Sequence, residues 1–278
     1  MMREESIIKT SDGIDIFCKK DIPDNPVAVI VIVHGFAEHL ARYEYFVQKL
    51  NENQIACYRF DNRGHGKSGG LMLHVESYND YINDADLIVQ KAKDEFPNLP
   101  LFMFGHSMGG FITAIYGEKF KDRLYGQIFS GAATDEPPQA NTALKTVINI
   151  CNALFPKMRI KNDLSALISR DIDVVNKYRN DPLVHDKATA RFFKQFVIEG
   201  MTYLKNNAKE YNYSCLILHG KEDKLVRYNS SENFYNNISS KDKQIKIYDD
   251  LYHEILNEAE KDIVINDILT WINNKVNN

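Results

Sequence analysis

A serine with the surroundings of a nucleophile stands at position 107. The segment 105–109 (Gly-His-Ser-Met-Gly) follows the apolar run Leu101 to Phe104 and precedes a helix-like stretch. A G-x-S-x-G motif at a strand-to-helix junction places the serine Oγ on a sharp and exposed turn. The motif is short enough to occur by chance, but the apolar run before it and a further glycine, Gly110, after it favour a nucleophile. We therefore predict that Ser107 attacks a carbonyl carbon.

A serine hydroxyl needs a base that accepts its proton, and three downstream histidines are candidates. His253 lies in the loop between the last predicted strand and the last predicted helix, at the sheet edge where ligands of parallel sheets bind. His219 ends a predicted strand and is interpreted as packed or hydrogen-bonded, and His185 lies in a middle segment without strand patterns. His106 neighbours the serine but is interpreted as structural. We predict that His253 is the base.

The base needs a carboxylate that holds it in the right tautomer. Asp223 lies in a glycine-containing loop after the penultimate predicted strand, and the order serine, acid, histidine suits this arrangement. Glu222 is the local competitor, although a surface position suits it better. Asp249 and Asp250 are too close to the base in sequence to fold back easily. We predict that Asp223 is the acid.

Acyl transfer also requires N–H groups that stabilise a developing oxyanion. One is expected from the backbone of Met108, the residue after the nucleophile, and the other from the backbone of Phe36, after the first buried strand. Both roles belong to the main chain, so the side chains are not informative.

Two other motifs resemble cofactor or metal sites. Residues 64–69 match G-x-G-x-x-G, but no helix opens at the third glycine and no acidic residue caps the next strand, so a dinucleotide site is not expected. His34, Glu38 and His39 have a spacing that fits neither helical zinc signature. We predict no cofactor and no metal ion.

Strand, loop and helix alternate along most of the chain, which predicts an α/β fold with a mostly parallel central sheet flanked by helices. The run Val27 to Val33 is β-branched throughout, as expected for a strand buried on both faces. The alternation stops between residues 135 and 207, where no strand pattern is found. We predict a core of residues 1–134 and 208–278, with a helical cap inserted at 135–207.

The bulk composition excludes several classes of protein. The chain has 278 residues, 44% hydrophobic and 26% charged, with a net charge of −4 and no basic cluster, so nucleic acid is not an expected partner. The four cysteines are not paired in CxxC motifs and are expected to be reduced. Residues 1–9 lack the pattern expected of a signal peptide, and no apolar run approaches the length of a membrane span. We predict a cytoplasmic protein, with peripheral membrane contact left open and no prediction of oligomeric state.

Five stretches together resemble the monoacylglycerol lipase and lysophospholipase branch of the α/β-hydrolase family: residues 34–43, 60–70, 105–110, 219–226 and 252–258. The resemblance implies a triad of Ser107, Asp223 and His253 with an oxyanion hole at Phe36 and Met108. It also implies that Glu38 and Arg42 shape the polar end where a glycerol head group lies, although a structural ion pair explains these two residues equally well. Val226 and Leu256 depart from the animal members of the family, which leaves the triad intact but changes the surroundings of the head group.

The predicted cap contains an amphipathic helix over residues 143–155, with six apolar residues at helical spacing. This face either packs on the sheet domain or lines an acyl channel and touches a lipid surface or micelle. We expect hydrolysis of lipid-like esters with an apolar acyl chain and a small polar alcohol, such as monoacylglycerols or lysophospholipids. A general carboxylesterase or thioesterase on the same triad is the first alternative, and a catalytically silent binding protein of the same fold is the second.

Overall fold

A mixed eight-stranded sheet forms the centre of the structure, a computed structural model that describes residues 1–137 and 140–277. Residues 138, 139 and 278, which belong to the predicted cap and to the end of the predicted core, lie outside the described residues. The strands are β1 (Met2–Lys9), β2 (Asp15–Ile22), β3 (Ala28–Val33), β4 (Ile55–Phe60), β5 (Leu101–His106), β6 (Gly126–Ser130), β9 (Cys215–Gly220) and β10 (Lys243–Tyr248). Their spatial order is β1-β2-β4-β3-β5-β6-β9-β10, and every neighbour from β4 to β10 is parallel. The predicted α/β fold class is confirmed.

Strand β3 shows why a continuous apolar run predicts a central strand of a parallel sheet. Val29, Val31 and Val33 point into one core, while Ala28, Ile30 and Ile32 point into the core on the opposite face. All six residues are at most 1% exposed. Because both faces of a parallel sheet are covered by helices, the usual alternation of polar and apolar residues is absent.

Helices cover both faces of the sheet. They are α1 (Glu44–Glu52), α2 (Tyr78–Glu95), α3 (Met108–Lys119), α8 (Tyr228–Asn237) and α9 (Lys261–Val276). Helices α2 and α3 pack in one core, whereas α1 and α9 pack in the other. Helix α2 begins with a capping box in which the Ser77 side chain and the Asp80 side chain satisfy each other's backbone N–H groups.

The chain leaves β3 for β4 on one side and returns to β5 on the other, which creates a crevice at the carboxyl ends of β3 and β5. Ligands of open α/β sheets bind at such switch points. The loop that follows β3 and the turn that follows β5 therefore face each other across the place where chemistry is expected.

The segment between β6 and β9 contains α4 (Thr142–Leu154), α5 (Ile172–Arg179), α6 (Ala190–Phe193) and α7 (Met201–Asn207). A π-helical stretch, Lys194–Gly200, joins α6 to α7, and short 3-10 turns lie at Ser165–Leu167 and Ala208–Glu210. A further 3-10 turn, Leu40–Tyr43, precedes α1 outside this segment. The expectation that this segment lacks strands is wrong. Two three-residue strands, β7 (Arg159–Lys161) and β8 (Lys187–Thr189), pair antiparallel within it. Strands this short do not establish a period-2 pattern that the sequence could reveal.

Candidate active site

Ser107 stands at the turn between β5 and α3 in a backbone conformation that most residues avoid. Its φ is 52° and its ψ is −117°. A positive φ costs a residue with a β-carbon about 1–3 kcal/mol, so such a conformation persists only where the surroundings impose it. The Ser107 carbonyl accepts backbone hydrogen bonds from Gly110, Phe111 and Ala133 at 2.9–3.2 Å, which hold the turn in place.

The two glycines of the motif are required by close backbone approach. A β-carbon on Gly105 would lie 2.3 Å from the carbonyl oxygen of Gly109, and one on Gly109 would lie 2.1 Å from the carbonyl oxygen of Val33. Both distances are far below van der Waals contact. Glycine at the first and last positions of the G-x-S-x-G motif is therefore required for α3 to pack directly against β5 and β3.

Asp223 and His253 come from different loops and meet in a short hydrogen bond. His253 Nδ1 donates to Asp223 Oδ2 at 2.6 Å. The other carboxylate oxygen, Oδ1, accepts the backbone N–H groups of Leu225 and Val226 at 2.8 and 2.9 Å. His219 Nε2 donates to the same Oδ2 at 3.0 Å. Burial alone would raise the pKa of Asp223, but the His253 charge and these hydrogen bonds hold it well below its usual range.

The proton affinity of His253 follows from the same contact. Burial lowers the pKa of His253, but the Asp223 carboxylate outweighs burial and holds that pKa above its ordinary value. The His106 ring lies 4.7 Å from the His253 ring, and its Nδ1 donates to the Ser130 carbonyl at 2.9 Å. Burial and the neighbouring His253 lower the pKa of His106 to about 4. Of the two neighbouring imidazoles, His253 is therefore the one that takes up a proton more readily.

Contacts around the carboxyl end of β6 place His253 next to the serine turn. The Ser107 N–H donates to the Ser130 carbonyl at 3.0 Å. A β-carbon on the next residue, Gly131, would lie 3.3 Å from His253 Nδ1. Ser107 and His253 both lie in the wall of one large cavity. The structure thus brings the three residues of the predicted triad to the carboxyl edge of the sheet.

The direction of the Phe36 N–H, in the loop after β3, follows from the hydrogen bonds of His34. The Asn62 N–H donates to His34 Nε2 at 2.9 Å, so the proton of this ring is on Nδ1, which donates to the Gly35 carbonyl at 2.8 Å. In a trans peptide the carbonyl and the following N–H point in opposite directions. The N–H of Phe36 therefore points away from His34.

Gly35 brings this loop into contact with the nucleophile. A β-carbon on Gly35 would lie 3.1 Å from the Ser107 β-carbon. Neither the Phe36 N–H nor the Met108 N–H takes part in a backbone hydrogen bond within residues 1–137 and 140–277. Met108 is the first residue of α3, where N–H groups lack intrahelical partners. Both N–H groups are free to donate to a ligand.

Glu38 and Arg42 do not line the large cavity. Arg42 Nε donates to Glu38 Oε2 at 3.0 Å, and Arg42 Nη2 donates to Glu254 Oε2 at 2.5 Å. Both carboxylates are at most 5% exposed. The two residues thus form a buried ion pair, which includes a carboxylate, Glu254, that the sequence did not single out, and their contact with a head group remains a prediction.

The large cavity has a volume of about 740 Å³, within the range of sites for small molecules, and most of its lining is apolar. One wall comes from α4 and a second comes from the helical stretch that begins with α6. The apolar lining residues of these walls are Leu144, Val147, Ile148, Cys151, Phe192, Phe193, Phe196, Val197 and Met201. The aromatic residues of the second wall were missed at the sequence level, although the run Phe192-Phe193 with Phe196 was the available signal.

The predicted amphipathic helix is α4, and its apolar face is only partly covered. Ile148 is 5% exposed, whereas Val147, Ile150, Leu154 and Phe155 are 53–65% exposed. Leu144, Val147, Ile148 and Cys151 line the cavity. The face therefore lines a channel and meets solvent instead of packing fully on the sheet.

His219 has a larger part in the site than its sequence position suggested. The ring is completely buried. It is hydrogen-bonded to the Ser231 hydroxyl through Nδ1 and to Asp223 Oδ2 and the Val226 carbonyl through Nε2, so it holds the same carboxylate oxygen that accepts from His253. The four-residue spacing between His219 and Asp223 was the only available signal.

Neither a metal site nor a membrane span is found in the part of the chain that the structure describes. Within it, no three His, Cys, Asp or Glu side chains are grouped so that they could hold a metal ion. Among the described helices, none is both long enough and apolar enough to span a bilayer.

Similarity to known proteins extends over nearly the whole chain. The family described as Serine aminopeptidase, S33 (Hydrolase_4) matches residues 24–260. A monoacylglycerol lipase of Mycolicibacterium smegmatis is 31% identical, with 97% of each chain covered. The crystal structure of Paleococcus ferrophilus monoacylglycerol lipase superposes with a TM-score of 0.84 at 28% identity and covers 94% of this chain and 98% of that one. A soluble variant of the Saccharomyces cerevisiae monoglyceride lipase in complex with a substrate analog has a TM-score of 0.89 at 24% identity, covering 99% and 96%, which shows the shared fold.

Proposed function

The chain belongs to the Serine aminopeptidase, S33 (Hydrolase_4) family of α/β serine hydrolases, and on that premise we propose that it hydrolyses monoacylglycerols and related esters of long apolar acyl chains. One observation carries the proposal. A mostly apolar cavity of about 740 Å³ opens on Ser107 and His253, so an acyl chain held in it presents its ester to the nucleophile. The monoacylglycerol lipases similar to this chain support the choice of alcohol.

In the acylation step, Ser107 Oγ attacks the ester carbonyl carbon while His253 Nε2 takes the hydroxyl proton. The hydrogen bond from His253 Nδ1 to Asp223 at 2.6 Å leaves Nε2 as the acceptor and stabilises the imidazolium. The carbonyl oxygen becomes an oxyanion, to which the N–H groups of Phe36 and Met108 donate.

The tetrahedral intermediate then collapses. The bond to the glycerol oxygen breaks, the imidazolium of His253 gives its proton to that oxygen, and glycerol leaves from an acyl-enzyme on Ser107. In the second half, His253 takes a proton from water, the resulting hydroxide attacks the acyl carbon, and the proton returns to Ser107 as the fatty acid leaves. The ester and water are thus converted into a fatty acid and glycerol.

We assign the acyl-binding part of the reaction to the predicted cap, residues 135–207. Its helix α4 contributes Leu144, Val147 and Cys151 to the cavity wall. Since hydrolytic chemistry resides in the loops of the sheet and the cavity walls come largely from the cap, the cap sets the preferred acyl length.

The same helix supports contact with a lipid surface. Ile150 and Leu154, on the helix that also lines the cavity, and Phe155, directly after its end, are 53–65% exposed. Exposed apolar side chains grouped on one element mark membrane or protein contacts. We propose that they rest on a membrane or micelle, so that a monoacylglycerol passes from lipid into the cavity without crossing water.

The function is tested with monoacylglycerols of graded acyl length, using wild type and Ser107→Ala. We expect hydrolysis by wild type with a preference for long chains, and no hydrolysis or fluorophosphonate labelling by Ser107→Ala. If short esters such as nitrophenyl acetate exceed every monoacylglycerol in kcat/KM, the chain is a general carboxylesterase. If Ser107 neither hydrolyses esters nor reacts with the probe, the chain is a silent binding protein.

Lipid contact is tested separately with Leu154→Glu and Phe155→Glu. We expect weaker binding to phosphatidylcholine vesicles and slower hydrolysis of vesicle-borne substrate, with hydrolysis of short water-soluble esters retained. Asn152→Gln, on the buried face of the same helix, serves as the control that keeps vesicle binding. Unchanged vesicle binding by both glutamate variants would contradict the proposed contact.

A further inference from the structure

A buried cluster of charges lies behind the predicted triad and away from the substrate cavity. It consists of Glu38, Arg42 and Glu254, with Tyr43 and Tyr178 around it. Glu38 is 3% exposed, Glu254 is 5% exposed and the Arg42 side chain is 10% exposed. Removing three charges from water is costly unless they are paired closely, so the cluster needs an explanation beyond surface charge.

Each member of the cluster belongs to a segment with a separate task. The Gly35 N–H, in the loop that carries the predicted oxyanion donor Phe36, donates to Glu38 Oε1 at 2.6 Å. Glu254 directly follows His253 in the loop of the base. Arg42 joins the two carboxylates through hydrogen bonds of 3.0 and 2.5 Å. One guanidinium therefore ties the oxyanion loop to the base loop.

The predicted cap also reaches this cluster. The Arg42 guanidinium lies 4.6 Å from the centre of the Tyr178 ring, in α5. The Glu254 N–H donates to the carbonyl of Ile168, in the same segment, at 2.8 Å. Three parts of the structure that must be aligned for the reaction thus converge on one arginine.

The space beside the cluster is too small for a head group. A pocket lined by Glu38, Arg42, His106 and Glu254 has a volume of about 20 Å³, which is room for about one water molecule. Glycerol has six non-hydrogen atoms and does not fit. The cluster therefore acts on the reaction through the residues that it holds and not through contact with the alcohol.

We propose that Arg42 is a positioning residue which, held between Glu38 and Glu254, aligns the oxyanion loop with the base loop and balances the negative charge that His253 experiences. The inference rests on the proposed function in taking His253 as the base. It assigns no substrate contact to Glu38, Arg42 or Glu254.

The charges around His253 determine the direction in which each substitution changes its proton affinity. Asp223, Glu254 and Glu38 favour the imidazolium, whereas His106, also facing the ring, disfavours a second positive charge when protonated. Arg42 is paired with Glu38 and Glu254, and the phenols of Tyr43 and Tyr178 face it. Removing the Glu254 charge makes His253 easier to deprotonate, and removing the Arg42 charge makes it harder.

The experiment compares the pH dependence of kcat/KM for Glu254→Gln, Arg42→Met and Arg42→Lys, because the acid limb reports the pKa of the base in the free enzyme. We expect the limb of Glu254→Gln to move to lower pH and that of Arg42→Met to higher pH, each by about one pH unit for one charge at this range. Arg42→Lys restores the positive charge but not the hydrogen bonds to both carboxylates. We therefore expect its acid limb at the wild-type pH and its kcat about tenfold below that of wild type.

Asp84→Asn and Arg63→Met provide a matched control. Asp84 is a buried carboxylate whose Oδ2 accepts from Arg63 Nε at 2.6 Å, in a pair that contacts none of the triad residues. We expect both control variants to lose thermal stability and to keep the wild-type acid limb. The controls thus separate the loss of a buried ion pair from a change in charge at His253.

Three results would overturn the proposal. Shifts of the limb in the same direction in Glu254→Gln and Arg42→Met, or no shift in either, would leave a purely structural cluster. An increase in KM for monoacylglycerols, with nitrophenyl esters and the acid limb unchanged, would make Arg42 a head-group contact. Should Arg42→Met fail to fold, Glu254→Gln and Arg42→Lys still decide between these results. Wild type without esterase activity would refute the proposed function itself, which the limb comparison does not do.

Discussion

The substitution Asp223→Asn tests the hydrogen-bond pattern of the predicted triad most directly. Asp223 Oδ1 accepts two backbone N–H groups, from Leu225 and Val226, and Oδ2 accepts from His253 and His219. An asparagine must keep its carbonyl oxygen on the two backbone donors, because these donors cannot move. Its NH₂ group is then aimed at the two imidazoles.

This arrangement forces His253 into the wrong tautomer. Facing an NH₂ donor, His253 Nδ1 becomes an acceptor and the ring proton moves to Nε2, which can no longer take the proton of Ser107. For a triad of this type, the change lowers kcat by about 10⁴-fold, equivalent to about 5 kcal/mol of transition-state stabilisation. We expect a loss of this size at neutral pH, together with a comparable loss of fluorophosphonate labelling.

The assay measures kcat on a nitrophenyl ester and circular dichroism on the same samples. Glu222→Gln, at the exposed neighbouring position, removes the same charge and is expected to keep wild-type activity. A folded Asp223→Asn variant with kcat within tenfold of wild type would refute the assignment of Asp223 and the tautomer argument together.

Three further predictions concern the turn, the cavity and the base. Gly109→Ala places a β-carbon 2.1 Å from the Val33 carbonyl oxygen. We therefore expect the free energy of unfolding to fall by about 3 kcal/mol and the Tm to fall by roughly 6–10 °C in a chain of this size. An unchanged Tm would contradict the close approach. Cys151→Trp narrows the cavity, and the ratio of kcat/KM for short over long acyl chains should rise at least about tenfold, since one methylene is worth 10–200-fold in such pockets. Because the Asp223 carboxylate raises the pKa of His253 above its ordinary 6.5 against the effect of burial, and only the neutral ring accepts a proton, kcat/KM should fall on acidification with a midpoint above pH 6.5; a midpoint at pH 5 would disprove it.

Local patterns in the sequence were sufficient to predict the fold class and the residues that the structure brings together at the candidate site. A β-branched run such as Val27 to Val33 and a strand-turn-helix motif around Ser107 are properties of neighbouring residues, and each is visible without knowledge of distant contacts. The fold class is confirmed, and the structure brings Ser107, Asp223 and His253 to one edge of the sheet. Their catalytic roles remain the prediction that the substitutions above test.

Contacts between distant segments could not be predicted in the same way. Arg42 and Glu254 are separated by 212 residues in the chain, and no local pattern announces that they pair. The same holds for His219, whose bond to Asp223 depends on how the loop after β9 closes. The two short strands β7 and β8 were missed because pairing across 25 intervening residues defines them, and not their own composition.

The division between core and cap explains why the reaction is easier to infer from sequence than the substrate. The chemistry depends on backbone geometry at the ends of β3, β5, β9 and β10, where glycines and short loops leave few alternatives. The acyl preference depends on how far α4 and the π-helical stretch stand from the sheet. That distance is held by a few contacts between distant segments. The Tyr78 N–H donates to Gln195 Oε1 in the π-helical stretch at 3.1 Å, and Arg191 Nε in α6 donates to Asn152 Oδ1 in α4 at 2.7 Å. Because small shifts of these contacts change the cavity without disturbing the triad, enzymes that share this reactive geometry can differ in the esters that they select.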